Sequence, residues 1–132
     1  MEHHSFEATA VPKAYGAYSH AVVAGDFVFV SGQTARDATT GAMIEGDVAM
    51  QTRRSLEIVR EILRELGLGL SDIVRSTVYL ANIDDFAAMN AAYAEVVGHP
   101  YPARSTPQVR MPFGALVGIE VTAYRGHHET AG

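Results

Sequence analysis

Residues 47–80 read "DVAMQTRRSLEIVREILRELGLGLSDIVRSTVYL", and a change of hydrophobic period inside this stretch decides the fold class. Up to Gly67 the apolar positions recur at helical spacing. Leu56, Val59, Leu63 and Leu66 fall on one stripe, Asp47 is placed to cap the start, and Gly67 is placed to end it. From Asp72 the pattern alternates instead, with Val74, Ser76, Val78 and Leu80 on one side of a strand. A long amphipathic helix running into a half-buried strand is the local signature of an α+β domain.

The flanking sequence extends this reading in both directions. Downstream, Asp84 or Asp85 can cap a second helix, "FAAMNAAYAEVVG", that ends at Gly98. "ALVGIEVTAYR" forms the last strand, with Val117, Ile119, Val121 and Ala123 on one face. Leu116, Gly118, Glu120, Thr122 and Tyr124 take the other. Upstream, "HAVVAGDFVFVSGQ" reads as a hairpin turning at Gly25–Asp26, and "RDATTGAMIEG" as a polar loop. The order ββαβαβ, with room for further short strands around Val109, predicts one sheet with two helices on one face. Too few elements remain to cover the other face, so self-association is expected.

The 132 residues fit one domain, 1–132, without a linker or an internal repeat. No cysteine is present, which excludes a disulfide framework, a thiolate zinc site and a cysteine nucleophile. Ten basic against fifteen acidic side chains give a formal charge of −5. Lys13 is the single lysine, and apart from Arg53–Arg54 the arginines are scattered, so a general nucleic-acid binder is disfavoured. No apolar run approaches the roughly 20 residues of a membrane helix, and "MEHHSFEATA" lacks the regions of a signal peptide. A cytoplasmic protein with no membrane partner is expected. The pairs His3–His4 and His127–His128 read as tail residues, not metal ligands.

Four places carry candidate chemistry. Glu120 lies among Leu, Gly and Tyr on a central strand; a partly desolvated carboxylate there is a candidate general acid–base, or else an ordinary glutamate on a wet face. Asn90 falls at helical spacing from Phe86 and Tyr93, which puts an amide on the apolar stripe, reaching a ligand or tying down a loop. In "PARSTPQV" Arg104 is fixed between Pro102 and Pro107, offering a planar fork to a carboxylate or phosphate; the bland reading is a surface arginine. Ser31–Gly32–Gln33 ends an apolar strand, where glycine permits close backbone approach or marks a bulge. No phosphate loop, dinucleotide fingerprint or zinc spacing occurs.

Taken in order, "GAYSHAV", "VFVSGQ", "GDVAMQTRRSLEIVREIL", "DIVRSTVYLANIDDFAAMNAAYAEVV", "PARSTPQV" and "GALVGIEVTAY" resemble the RidA family, also called YjgF, of enamine/imine deaminases. The resemblance covers about residues 12–125, leaving short tails at both ends. It implies a chorismate-mutase-like α+β fold assembled as a homotrimer, with an active site in each intersubunit cleft. It also implies hydrolysis of reactive 2-imino acids, such as 2-aminoacrylate and its tautomer 2-iminopropanoate, to a 2-keto acid and ammonia, with no metal or organic cofactor.

Carried over onto this chain, Arg104 clamps the substrate carboxylate and Glu120 assists proton transfer with the attacking water. Thr106, at a position often occupied by cysteine, lends backbone groups to that water. Tyr18, Ser31, Gly32 and Asn90 line or support the pocket. The chain departs from the family's common pattern at Ala17 and His20 in "GAYSH", at Phe113 where lysine is common, and at Gly118 where glutamate is common. His20 and Phe113 are placed to reshape the pocket toward a larger or more apolar substrate. Two other readings keep the same pocket: a specialised aminomuconate-like imine, or a non-catalytic trimer sensing 2-keto acids. The endoribonuclease label that the family has also carried is opposed by the acidic balance.

Overall fold

The computed structural model describes residues 2–126. It contains β1 (His3–Phe6), β2 (Ala21–Ala24), β3 (Phe27–Thr34), α1 (Val48–Glu65), β4 (Ile73–Leu80), α2 (Phe86–Val97), β5 (Ala103–Ser105) and β6 (Val117–Tyr124). The strands form one sheet in the order β1-β2-β3-β6-β4-β5. All pairs are antiparallel except β4 with β5, so the sheet is mixed. The α+β architecture with two helices on one sheet face agrees with the sequence reading.

The helical stretch behaves as its period dictates. Asp47 Oδ1 accepts from the Met50 backbone N–H at 3.0 Å, satisfying one of the donors a helix start leaves without a partner. Leu56, Val59 and Leu63 are fully buried, Leu66 is half-buried, and Gly67 takes a φ of 80°. That left-handed residue stops the helix where a side chain would be strained. On β6 Val117, Ile119, Val121 and Ala123 are buried against the helices together with Val28 and Val30 of β3. The opposite residues pair as Phe27 with Tyr124, Phe29 with Thr122, and Thr77 with Glu120. Phe27 and Phe29 are exposed there.

Three expectations need correction. On β4 the register slips between Ile73 and Arg75, so Val74 turns outward and Ile73 enters the core ahead of Ser76, Val78 and Leu80. His3 and His4 are not tail residues: they belong to β1 and pair with Ala24 and Val23. His127 and His128 lie outside the described residues. His20 points into the chain's own interior and lines none of the cavities described below. It is buried, its Nε2 lies 2.9 Å from the Pro12 carbonyl, and Ala8 N–H points at its Nδ1 at 2.9 Å. A carbonyl only accepts, so the proton sits on Nε2 and Nδ1 accepts from Ala8. His20 is thus a strut that fastens residues 8–12 to the start of β2.

Candidate active site

Arg104 sits on β5, an edge strand paired in parallel with β4. Beyond it Leu80 N–H donates to the Pro107 carbonyl at 3.0 Å and Val109 N–H to the Leu80 carbonyl at 2.9 Å. The segment holding Arg104 and Thr106 is therefore fixed by strand-like pairing as well as by its prolines. The guanidinium carbon stands 4.7 Å from the Tyr93 ring centroid and 5.5 Å from that of Phe86. Its Nη2 donates to Asn90 Oδ1 at 2.8 Å. Two rings and an amide hold the fork in one orientation, leaving donors for an anion.

Asn90 was expected on the apolar stripe of α2. That stripe is Met89, Ala92 and Tyr93. Asn90 is exposed on the flank beside it, where it positions Arg104. Behind the guanidinium, the Tyr93 hydroxyl shares a 2.7 Å hydrogen bond with buried Ser76. Burial pushes the Tyr93 phenol above its ordinary value, so it stays neutral beneath the cation. Asn90, Tyr93, Ala94, Tyr101, Pro102 and Arg104 line an open cavity of about 410 Å³. Tyr93 and Tyr101 were not singled out from sequence; the signal available for Tyr93 was its three-residue spacing from Asn90.

Glu120 lies on β6, between β3 and β4 at the middle of the sheet, on the face away from the helices. The Tyr79 hydroxyl donates to its Oε1 at 2.8 Å. That bond to the carboxylate, with burial second, raises the Tyr79 phenol above its ordinary value. Arg75, Ser76, Thr77, Val121 and Thr122 complete a small polar hollow around it. Tyr79 was not foreseen, although its alternation with Thr77 on β4 put it on the same face as Glu120.

Ser31 and Gly32 occupy a break in the β3–β6 register between Val30 and Gln33. Ser31 Oγ donates to the Ser19 carbonyl at 2.7 Å, and its N–H donates to the His20 carbonyl at 3.0 Å. The hydroxyl is committed to holding the loop that carries Tyr18. A Cβ added at Gly32 would meet nothing within 4 Å, and its φ lies outside the left-handed region. Among the described residues none would clash with a side chain here, so the position is open to a group approaching from outside. Tyr18 packs edge-on against Tyr15, with ring centroids 5.7 Å apart. Gly118 is buried beneath Met111, whose methyl stands 3.0 Å from any added Cβ. Met111 therefore fills the room a glutamate side chain would need.

The single chain does not bring these residues together. From Ser31–Gly32 on β3 to Arg104 on β5 the sheet crosses β6 and β4. Three strand spacings amount to roughly 14 Å. Arg104 is in register with Ser76 and Val121, which face the helices, whereas Glu120 is in register with Thr77 on the other side. Among the described residues, no group of three His, Cys, Asp or Glu is placed to hold a metal. No helix there is long and apolar enough to cross a membrane.

Sheet order and helix placement define a small α+β domain whose candidate groups are spread across one sheet. Residues 8–125 match the endoribonuclease L-PSP family, and the chain belongs to that family, known also as RidA/YjgF. It is 44% identical over 115 residues to a RutC family protein of Pyrococcus abyssi, covering 86% of this chain and 91% of that one. It is 38% identical over 122 residues to the 2-iminobutanoate/2-iminopropanoate deaminase of Rattus norvegicus, covering 92% and 89%. The crystal structure of E. coli TdcF with bound serine matches with a TM-score of 0.85 at 36% identity, covering 93% and 99%.

Proposed function

We propose that this protein is an imine deaminase that hydrolyses 2-imino acids to 2-keto acids and ammonia in clefts between the copies of a homotrimer. The observation that carries this reading is the Arg104 fork, oriented by Asn90 over Tyr93 and facing a cavity of about 410 Å³. The curated relatives named as imine deaminases and the serine held by TdcF support a substrate of amino-acid size with a carboxylate. The trimer reading rests on the resemblance and on two observations: an aromatic sheet face without a helix, and candidate residues too far apart for one small substrate.

The chemistry asks for orientation, a held water and a proton relay. Arg104 pairs with the carboxylate and fixes the C=N carbon beside it. The water oxygen bonds to that carbon as the C=N π electrons move to nitrogen. Glu120 accepts one proton from the water and passes it to nitrogen, giving the tetrahedral carbinolamine. It then takes the remaining hydroxyl proton as the C=O bond forms and delivers it to nitrogen as the C–N bond breaks, releasing ammonia and the 2-keto acid. Tyr79 keeps the carboxylate in place, and backbone groups at Thr106 hold the water. None of these steps calls on a metal or an organic cofactor. An RNA-cleaving reading, which the family's description carries, is opposed by the net charge of −5 and the dispersed basic residues.

An amino-acid oxidase that generates imines in situ, with semicarbazide trapping of what survives, tests the proposal. Wild-type protein is expected to speed imine loss. Arg104→Ala is expected to lower kcat/KM by about 100-fold or more and to abolish 2-keto acid binding. Glu120→Gln is expected to lower kcat while 2-keto acids still bind. Binding of 2-keto acids without acceleration of any imine would replace the enzyme with a sensor.

A further inference from the structure

Phe113 is 71% exposed and has a φ of 55° and a ψ of 30°, a left-handed conformation that side chains other than glycine rarely adopt. Its position between Pro112 and Gly114 turns the ring outward, where it adds nothing to the core. The ring meets Tyr15 edge-on, with centroids 5.0 Å apart, and Tyr15 in turn meets Tyr18. Tyr15 N–H points to the Tyr18 hydroxyl oxygen at 3.4 Å. Three aromatic side chains thus run in a row from Tyr18 to a second cavity of about 210 Å³, lined by Tyr15, Arg36, Gly41, Met43 and Phe113. That is more room than the roughly 150 Å³ of an apolar cavity that admits benzene.

The cation at the edge of this cavity is already engaged. Arg36 donates from Nε to the Gly41 carbonyl at 2.9 Å and from Nη1 to the Lys13 carbonyl at 3.0 Å. Its guanidinium lies 4.8 Å from the Tyr15 centroid. It braces the Tyr15 wall and leaves two rings and a thioether as the surface offered to a guest.

Resting on the reading of Tyr18 as a site residue, we infer that this aromatic cavity is the side-chain subsite, and that the preferred substrates are 2-imino acids with aromatic or large apolar side chains. Arg104 holds the carboxylate end, and Phe113 and Tyr15 receive the other.

The test uses imines generated by an oxidase from alanine, phenylalanine and glutamate. For wild type, kcat/KM for the phenylalanine-derived imine is expected to exceed that for the alanine-derived one by about tenfold, with the glutamate-derived one lowest. Phe113→Ser is expected to lower the phenylalanine-to-alanine ratio by about fivefold or more, and Tyr15→Ala to repeat the effect. A wild-type ratio at or below one, a preference for the acidic imine, or a ratio that neither variant moves would overturn the subsite. If no imine is turned over, calorimetry with phenylpyruvate and pyruvate decides separately. Preference for phenylpyruvate that Phe113→Ser removes keeps the subsite and discards the deaminase reading. Equal affinities discard the subsite.

Discussion

On β6, Val117, Ile119, Val121 and Ala123 are sealed against the helices, while Glu120, Thr122 and Tyr124, one residue away, face away from both of them. On β3, Val28 and Val30 are buried and Phe27 and Phe29 are exposed. The pleat divides one sheet into a face finished by its own chain and a face that is not. The finished face carries ordinary aliphatic packing. The unfinished one carries aromatic rings, a carboxylate and a tyrosine hydroxyl, the kinds of group that interfaces and sites use. The aliphatic core and the candidate carboxylate Glu120 thus lie on opposite faces of the sheet, while Arg104 shares the helix side with Ser76 and Val121.

The largest contrast comes from truncating one residue on each side. Ile119→Ala leaves a cavity under α1 and is expected to cost about 2–5 kcal/mol, read from chemical denaturation. Phe29→Ala is expected to keep the far-ultraviolet circular dichroism and to shift the sedimentation mass at micromolar concentration toward single chains. An unchanged mass would move the assembly surface elsewhere.

A smaller effect is expected at the register break. Gly32→Ala fits the single chain without a clash, so the melting temperature should stay within a degree or so. Imine turnover should fall by about tenfold, because a methyl group intrudes where a substrate or a neighbouring copy approaches. Loss of folding would show instead that the glycine serves the chain's own backbone.

The smallest effect belongs to the N-terminal strap. Glu65 accepts from Thr9 N–H and Ala10 N–H at 3.0 and 3.1 Å. These bonds, Thr9 first, hold its carboxyl below the ordinary glutamate range. A lowered folded pKa gives stability that is present above the ordinary range and lost as pH falls through the folded value. Glu65→Gln should therefore cost about 0.5–1 kcal/mol at neutral pH, after screening at this partly exposed site. It should also flatten the fall in stability below about pH 4.5. Parallel acid-unfolding curves for variant and wild type would contradict this.

The parts of the fold legible in sequence were those where one face is buried and the period is strong: α1, the β2–β3 hairpin and β6. Helix α2 was legible too, from its bounding Asp84–Asp85 and Gly98, although its amphipathic period is weak. The edge strands were not. β1 exposes three of its four residues, and β5 is only three residues long, so neither carries alternation. Val74 misled because a bulge is set by pairing with β6, which a local pattern does not record.

At the site, Arg104 was legible as a cation in a stiff segment, and Glu120 as a carboxylate on a central strand. Their partners Asn90, Tyr93 and Tyr79 depend on how α2 and β4 lie beside β5 and β6. His20 stood where a pocket change was expected, yet its contacts with Ala8 and Pro12 come from a loop without periodic signal.

The central claim is that one site draws on two copies, and a mixing experiment tests it most directly. Arg104→Ala and Tyr18→Ala are each prepared alone, then unfolded together and refolded as a one-to-one mixture. If Arg104 and Tyr18 meet across a subunit boundary in a symmetric ring, about one cleft in four combines both intact residues. The account predicts that two inactive proteins recover about a quarter of wild-type imine turnover on mixing. A mixture that exchanges subunits and stays inactive would place both residues in one chain's site and contradict it.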